Sequence, residues 1–189
     1  SINVAFLLNS WVDDAGDKAW ARLFTSTGET VDYEAINKLR INGNRVNGAQ
    51  DMVNMLSNKQ LVLYKLNNDN QLTQIDTVTA NGNLKQLTSF SEGAFKWGSG
   101  RVNNKTILSR DTIVFSIPND LTNAKEEDFA IKRFSDFVTD QNYNTASYTA
   151  SDTDGVAEIL VVKGKEWGTP DYNSAMILVD DVNEAVDDD

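Results

Sequence analysis

Short runs in which apolar and polar residues alternate, punctuated by Asn, Asp and Gly, dominate this chain and restrict it to a mainly β architecture. Over residues 18–25, Ala19, Ala21 and Leu23 fall on one face, and Trp20, Arg22 and Phe24 on the other. Ser26-Thr27-Gly28-Glu29 then reads as a turn into a second strand, Thr30-Val31-Asp32-Tyr33. The clearest hairpin joins residues 60–66 to 71–78 through Asn67-Asn68-Asp69-Asn70, four residues that tolerate left-handed backbone. A second one joins residues 143–150 to 156–162 through Ser151-Asp152-Thr153-Asp154-Gly155, closed by an Asp-Gly turn. Helical periodicity is confined to two short stretches. Residues 49–56 place Ala49, Met52, Val53 and Leu56 on one stripe, about two turns long. Residues 129–137 fit a short helix, with Phe129, Arg133 and Phe137 at i,i+4 spacing, or an irregular strand.

The pattern predicts nine to eleven strands and at most two short helices, arranged as two small barrel-like or sandwich-like β modules. Residues 79–104 are polar and turn-rich, so the boundary is expected near 79–84, giving modules at 1–80 and 81–173. Residues 174–189 would then begin a following repeat unit or close a strand. Residues 3–17 overlay residues 173–187 without a gap: Ala5/Ala175, Val12/Val182, Ala15/Ala185 and Asp17/Asp187 are identical, and Phe6-Leu7-Leu8 faces Met176-Ile177-Leu178. That match predicts a tandem array. Two similar apolar strands followed by acidic turns account for the same letters.

Neither cysteine nor histidine occurs. Disulfides, Fe–S clusters, thiolate nucleophiles and Cys-based zinc sites are thereby excluded, and so are the commonest general base and metal ligand. Acidic residues outnumber basic ones 28 to 17, for a net charge of −11, which repels nucleic acid and anionic lipid. The longest apolar runs, such as Val4-Ala5-Phe6-Leu7-Leu8, are strand-sized and too short to span a bilayer.

Few residues point to chemistry. Asp152 and Asp154, two apart and followed by Gly155, resemble the opening of a calcium loop. Such a loop needs a bidentate Glu about seven residues after the Gly, where Val161 and Val162 stand. An Asp-Gly hairpin turn explains the same residues. The clusters Asp13-Asp14…Asp17, Asp180-Asp181 and Asp187-Asp188-Asp189 are either solvated linkers or places for Ca²⁺ between modules. No nucleophile elbow, Ser-x-x-Lys or phosphate loop is present, and no carboxylate pair is marked out, so the chain is expected not to be an enzyme. Trp97 and Trp167 lie in Gly-flanked loops, where an indole either caps a small β core or stacks on a sugar. Trp11 and Trp20 sit at strand positions and read as packing residues.

Several stretches carry a family resemblance: residues 2–9, 61–69, 111–115, 148–157 and the last sixteen residues. In strand texture, turn letters and order they resemble the β-rich, non-anchoring region of Gram-positive, clostridial-type surface proteins with S-layer homology domains. The resemblance implies a secreted, extracellular location at the cell surface and tandem β modules. It supplies no catalytic residues, and the anchoring domain's own pattern is missing. The expectation is a non-catalytic structural, spacer or interaction segment of an S-layer-like protein. Its partners would be neighbouring modules of the same polypeptide or lattice, with no nucleic acid and no membrane insertion. The alternative is a carbohydrate-binding or adhesive module that meets cell-wall glycan through Trp97 and Trp167. No cofactor is expected, Ca²⁺ being the one candidate ion.

Overall fold

A computed structural model describes residues 3–150 and 158–168. The structure is mainly β, with two sheet regions, one short α-helix and two 3-10 turns among the described residues. The chain divides into two compact units, Ser1–Gln86 with Leu121–Phe129, and Leu87–Asp120 with Ala130–Asp189.

The first unit contains β1 (Val4–Val12), β2 (Ala19–Thr25), β3 (Thr30–Ile41), β4 (Asn44–Arg45), α1 (Ala49–Met55), β5 (Gln60–Leu66) and β6 (Leu72–Thr77). β1 pairs with both β2 and β5, β2 with β3, and β5 with β6, all antiparallel, while β3 and β6 run parallel. Two irregularities interrupt these ladders. The register of β1 against β2 shifts between Leu7 and Asn9, so Leu8 is a bulge residue, and β5 pairs with the Val4 to Leu7 half of β1. In β3 the register breaks between Ala35 and Arg40, where Lys38 has a left-handed φ of 59°. Residues Thr30 to Glu34 of β3 follow β2, and Ala35, Arg40 and Ile41 pair with β6 on either side of the break.

The alternation read from residues 18–25 is reproduced. Ala19, Ala21 and Leu23 join Ala5, Leu7, Leu39, Ile41, Val62, Leu72 and Ile75 in one buried core. Small side chains at 5, 19 and 21 leave room for α1, whose Ala49 and Met52, with Leu56 just beyond, complete that core. The opposite face carries Phe6 and Phe24, a directly opposed cross-strand pair. Phe129 covers them, its ring centroid 5.5 Å from Phe6 and 6.1 Å from Phe24. A 3-10 turn, Glu126–Asp128, delivers it, held where the Lys125 amide donates to the Asp128 carboxylate at 2.9 Å.

The second unit is a seven-stranded sheet in the order β11-β10-β13-β12-β7-β8-β9. Its members are β7 (Lys85–Lys96), β8 (Arg101–Val102), β9 (Thr106–Ile107), β10 (Ile113–Ile117), β11 (Ala130–Lys132), β12 (Asn142–Thr149) and β13 (Ile159–Lys163). β12 and β13 pair as read from the sequence, with Tyr148 opposite Ile159. The loop joining them, which holds Asp152 and Asp154, lies outside the described residues, as do residues 169–189 and the end-to-end match. Phe95, Val102, Leu108, Val114, Phe137, Tyr143, Leu160 and Val162 form the buried core.

Residues 129–137 form neither a continuous helix nor a continuous strand: β11 is followed by a 3-10 turn at Phe134–Asp136. A single helix would hold Phe129 and Phe137 on one stripe. Here Phe129 packs on Phe6 and Phe24, while Phe137 belongs to the second unit's core.

Burial raises the Tyr143 phenol above its ordinary value of 10.0, against a smaller opposing effect of the Val138 N–H, which donates to its oxygen at 2.9 Å. Burial likewise raises Tyr64 in the first unit. Both phenols hold their protons to higher pH in the folded state than in the unfolded chain. The stability this contributes is intact below about pH 10 and is lost as pH rises through the folded values. Melting temperature is expected to fall above that pH, and Tyr143→Phe to flatten the fall in the second unit's transition.

Gly164, after β13, has φ of 69° and donates its N–H to the Ile117 carbonyl at 2.9 Å. A Cβ there would stand 2.3–2.5 Å from the Asn119 side chain. Gly164→Ala is expected to cost about 1–3 kcal/mol, read by denaturant unfolding.

Candidate functional site

Both loop tryptophans border the aromatic core of the second unit, and both are half-buried. Trp97 meets Phe95 edge-on at 6.0 Å and lies tilted over Phe134 at 5.1 Å. Trp167 meets Phe137 edge-on at 5.3 Å and Tyr143 at 5.4 Å, and the Lys132 ammonium stands 5.2 Å from its ring centroid. Its indole N–H donates to the Ser116 hydroxyl at 2.8 Å, which engages its one polar atom. The core-capping role weighed for a loop indole accounts for these contacts.

The acidic stretch 13–17 is a structured turn between β1 and β2. One carboxylate oxygen of Asp13 accepts from the amides of Asp17 and Lys18 at 2.9 and 3.2 Å, and its carbonyl accepts from Gly16 at 2.9 Å. Among the described residues no group of three or more acidic side chains could hold a metal ion. Asp180-Asp181 and residues 187–189 lie outside the described part.

A different constellation stands on the face of the first unit opposite its core. Strand register sets it out as three successive rungs across β1, β2 and β3. Phe6, Phe24 and Thr30 form the first rung, Asn9, Arg22 and Asp32 the second, and Trp11, Trp20 and Glu34 the third. The bulge at Leu8 brings Asn9, rather than Leu8, opposite Arg22. Phe129 covers the first rung.

In the second rung Arg22 grips Asp32 through two bonds, Nε to Oδ1 at 2.7 Å and Nη2 to Oδ2 at 3.0 Å. That hydrogen bond is the main reason the guanidinium pKa is raised, outweighing the smaller lowering by burial; the charges of Asp32 and Glu126 add to the rise. The group is thus a fixed cation, and it also lies 5.4 Å from the Trp11 ring centroid. In the third rung the Trp11 and Trp20 indoles are parallel within 9°, with centroids 6.4 Å apart. Neither indole is buried. Glu34 is steadied by the Gln71 amide, which donates to it at 2.8 Å.

Between the second rung and the covering segment lies a cleft of about 380 Å³, lined by Leu8, Asn9, Arg22, Lys59, Lys125 and Glu126. Glu126 approaches Arg22 at 3.9 Å.

Alternation alone puts Trp20 and Arg22 on one face of β2. What it could not supply is the register that sets Asn9 and Trp11 beside them, because that depends on the Leu8 bulge. Comparison with protein-family models, curated proteins and solved structures finds no match for this chain.

Proposed function

We propose that this chain is a non-catalytic interaction segment of a secreted bacterial surface protein, and that it works by binding carbohydrate on the open face of its first unit. The observation that carries the reading is the third rung, two parallel, half-buried indoles beside a row of planar polar side chains. Sugars present flat C–H faces to aromatic rings and in-plane hydroxyls to carboxylates, amides and guanidinium groups. Asn9, Arg22, Asp32 and Glu34 supply that polar set without further rearrangement, since the ion pair and the Gln71 contact hold three of them in place.

The pairing order supports a small barrel in the first unit. β1, β2, β3, β6 and β5 each pair with two neighbours of the same five, and α1 lies between β3 and β5 in the chain. That is the order of the five-stranded Greek-key barrels that take oligonucleotides or oligosaccharides on the face of their second and third strands. A fold names no ligand; the residues do.

Secretion and a surface location follow from the resemblance to S-layer-type proteins, and antibody labelling of intact producing cells tests them. Binding is tested by tryptophan fluorescence during titration with oligosaccharides. Trp20→Ala is expected to weaken binding about tenfold or more while Trp97→Ala leaves it unchanged. No response to any sugar, in a folded protein, leaves a passive spacer. Hydrolysis of wall polymer by the purified chain would overturn the non-catalytic part.

A further inference from the structure

We propose that the saccharide held on this face is an acidic one, its ring on the tryptophan rung and its carboxylate in the adjoining cleft between Lys59 and Lys125. The inference rests on the carbohydrate reading above and adds the chemical class of the ligand. Its basis is the charge that lines the cleft. Lys59 and Lys125 stand on the same lining as Arg22, and neither forms an ion pair among the described residues. Lys125 is exposed and Lys59 half-buried.

The remaining charged groups at the cleft are Arg22 and Glu126. Asp32 largely neutralises Arg22 through its two hydrogen bonds, and Glu126 adds a weaker 3.9 Å contact to the same group. The two lysines are therefore the charges left to meet a ligand. Arg22 lines the cleft while its guanidinium lies over Trp11, so the cationic space and the indole pair adjoin through a single side chain. A sugar ring seated on the indoles would reach the cleft with a substituent at its edge. A charge-assisted bond from lysine to that substituent is stronger than a neutral one and weakens as salt rises.

Titration of the full chain with trigalacturonate and with the neutral galactotriose, at low and at near-physiological salt, tests this by tryptophan fluorescence and calorimetry. Trigalacturonate is expected to bind about tenfold tighter at low salt, with the preference shrinking as salt rises. Lys59→Gln combined with Lys125→Gln, substitutions outside either unit's core, should bring the acidic ligand down to the neutral one. Trp20→Ala should weaken both ligands together, and Trp20→Phe serves if the alanine variant does not fold. Equal affinity for the two sugars in the unaltered protein would overturn the acidic class while leaving the carbohydrate reading standing. Binding of neither would overturn both. Trigalacturonate binding that survives loss of both indoles, or that a single-stranded oligonucleotide matches, would overturn the site as a nonspecific cationic patch.

Discussion

Phe129→Ala is expected to destabilise the first unit by about 3–5 kcal/mol, the usual cost of emptying a buried phenylalanine position. For a unit of this size that lowers its melting temperature by roughly 15–30 °C. The ring is 5 % exposed and is the aromatic lid on Phe6 and Phe24, which are each 4 % exposed beneath it. Truncation removes the lid's own burial and wets the two rings below, and a rigid sheet offers no neighbouring side chain to close the gap. Calorimetry should show the first unit melting early. A loss under about 1 kcal/mol would mean that the 121–129 segment merely decorates the sheet.

The second large effect belongs to Phe137→Ala, again about 3–5 kcal/mol, now in the second unit. Phe137 is 1 % exposed and stands at the centre of a ring cluster, 5.3 Å from Phe95, 4.7 Å from Tyr143 and 5.3 Å from Trp167. Aromatic pairs of this kind add energy beyond the area they bury. The change also has an optical signature. With its edge-on neighbour gone, the Trp167 indole should become wetter and its emission move to the red, even though its bond to Ser116 remains available. An unshifted emission spectrum together with wild-type stability would show that the cluster is not the core's centre.

Alternation was a reliable guide where a strand has one wet and one buried face. β2 and the β5–β6 hairpin fall where the pattern puts them, because Ala19, Ala21 and Leu23 in the one case and Val62, Leu72 and Ile75 in the other point to the same core. It was a poor guide where exposure runs along the whole strand. β7, residues Lys85–Lys96, is twelve residues long, yet only Phe95 is buried, so in a polar, turn-rich stretch the spacing of Phe90, Phe95 and Trp97 gives only a weak strand signal. The segment ending at Phe129 shows a different blindness. An acidic stretch, Glu126-Glu127-Asp128, precedes a phenylalanine that serves a sheet more than a hundred residues earlier in the chain, and no local pattern records such a partner.

The candidate site divides along the same line. Trp11 and Trp20 read in the sequence as packing residues, and only the face shared by Trp20 and Arg22 followed from the period of two. The site itself is a product of register. One extra residue at Leu8 decides whether Asn9 and Trp11 join Arg22 and Trp20 or turn into the core, and bulges leave no distinctive letter in a single sequence.

The excursion that ends at Phe129 also bears on how such a protein can be rearranged by duplication and exchange. A boundary drawn after Gln86 would copy every strand of the first sheet and omit its lid, because the lid is encoded beyond β10 and immediately before β11. The smallest piece that carries the first unit whole must therefore carry β7 to β10 of the second as well. Were such a chain repeated in tandem, its inherited quantum would be the pair of units, and the first could not be shuffled as a cassette of its own.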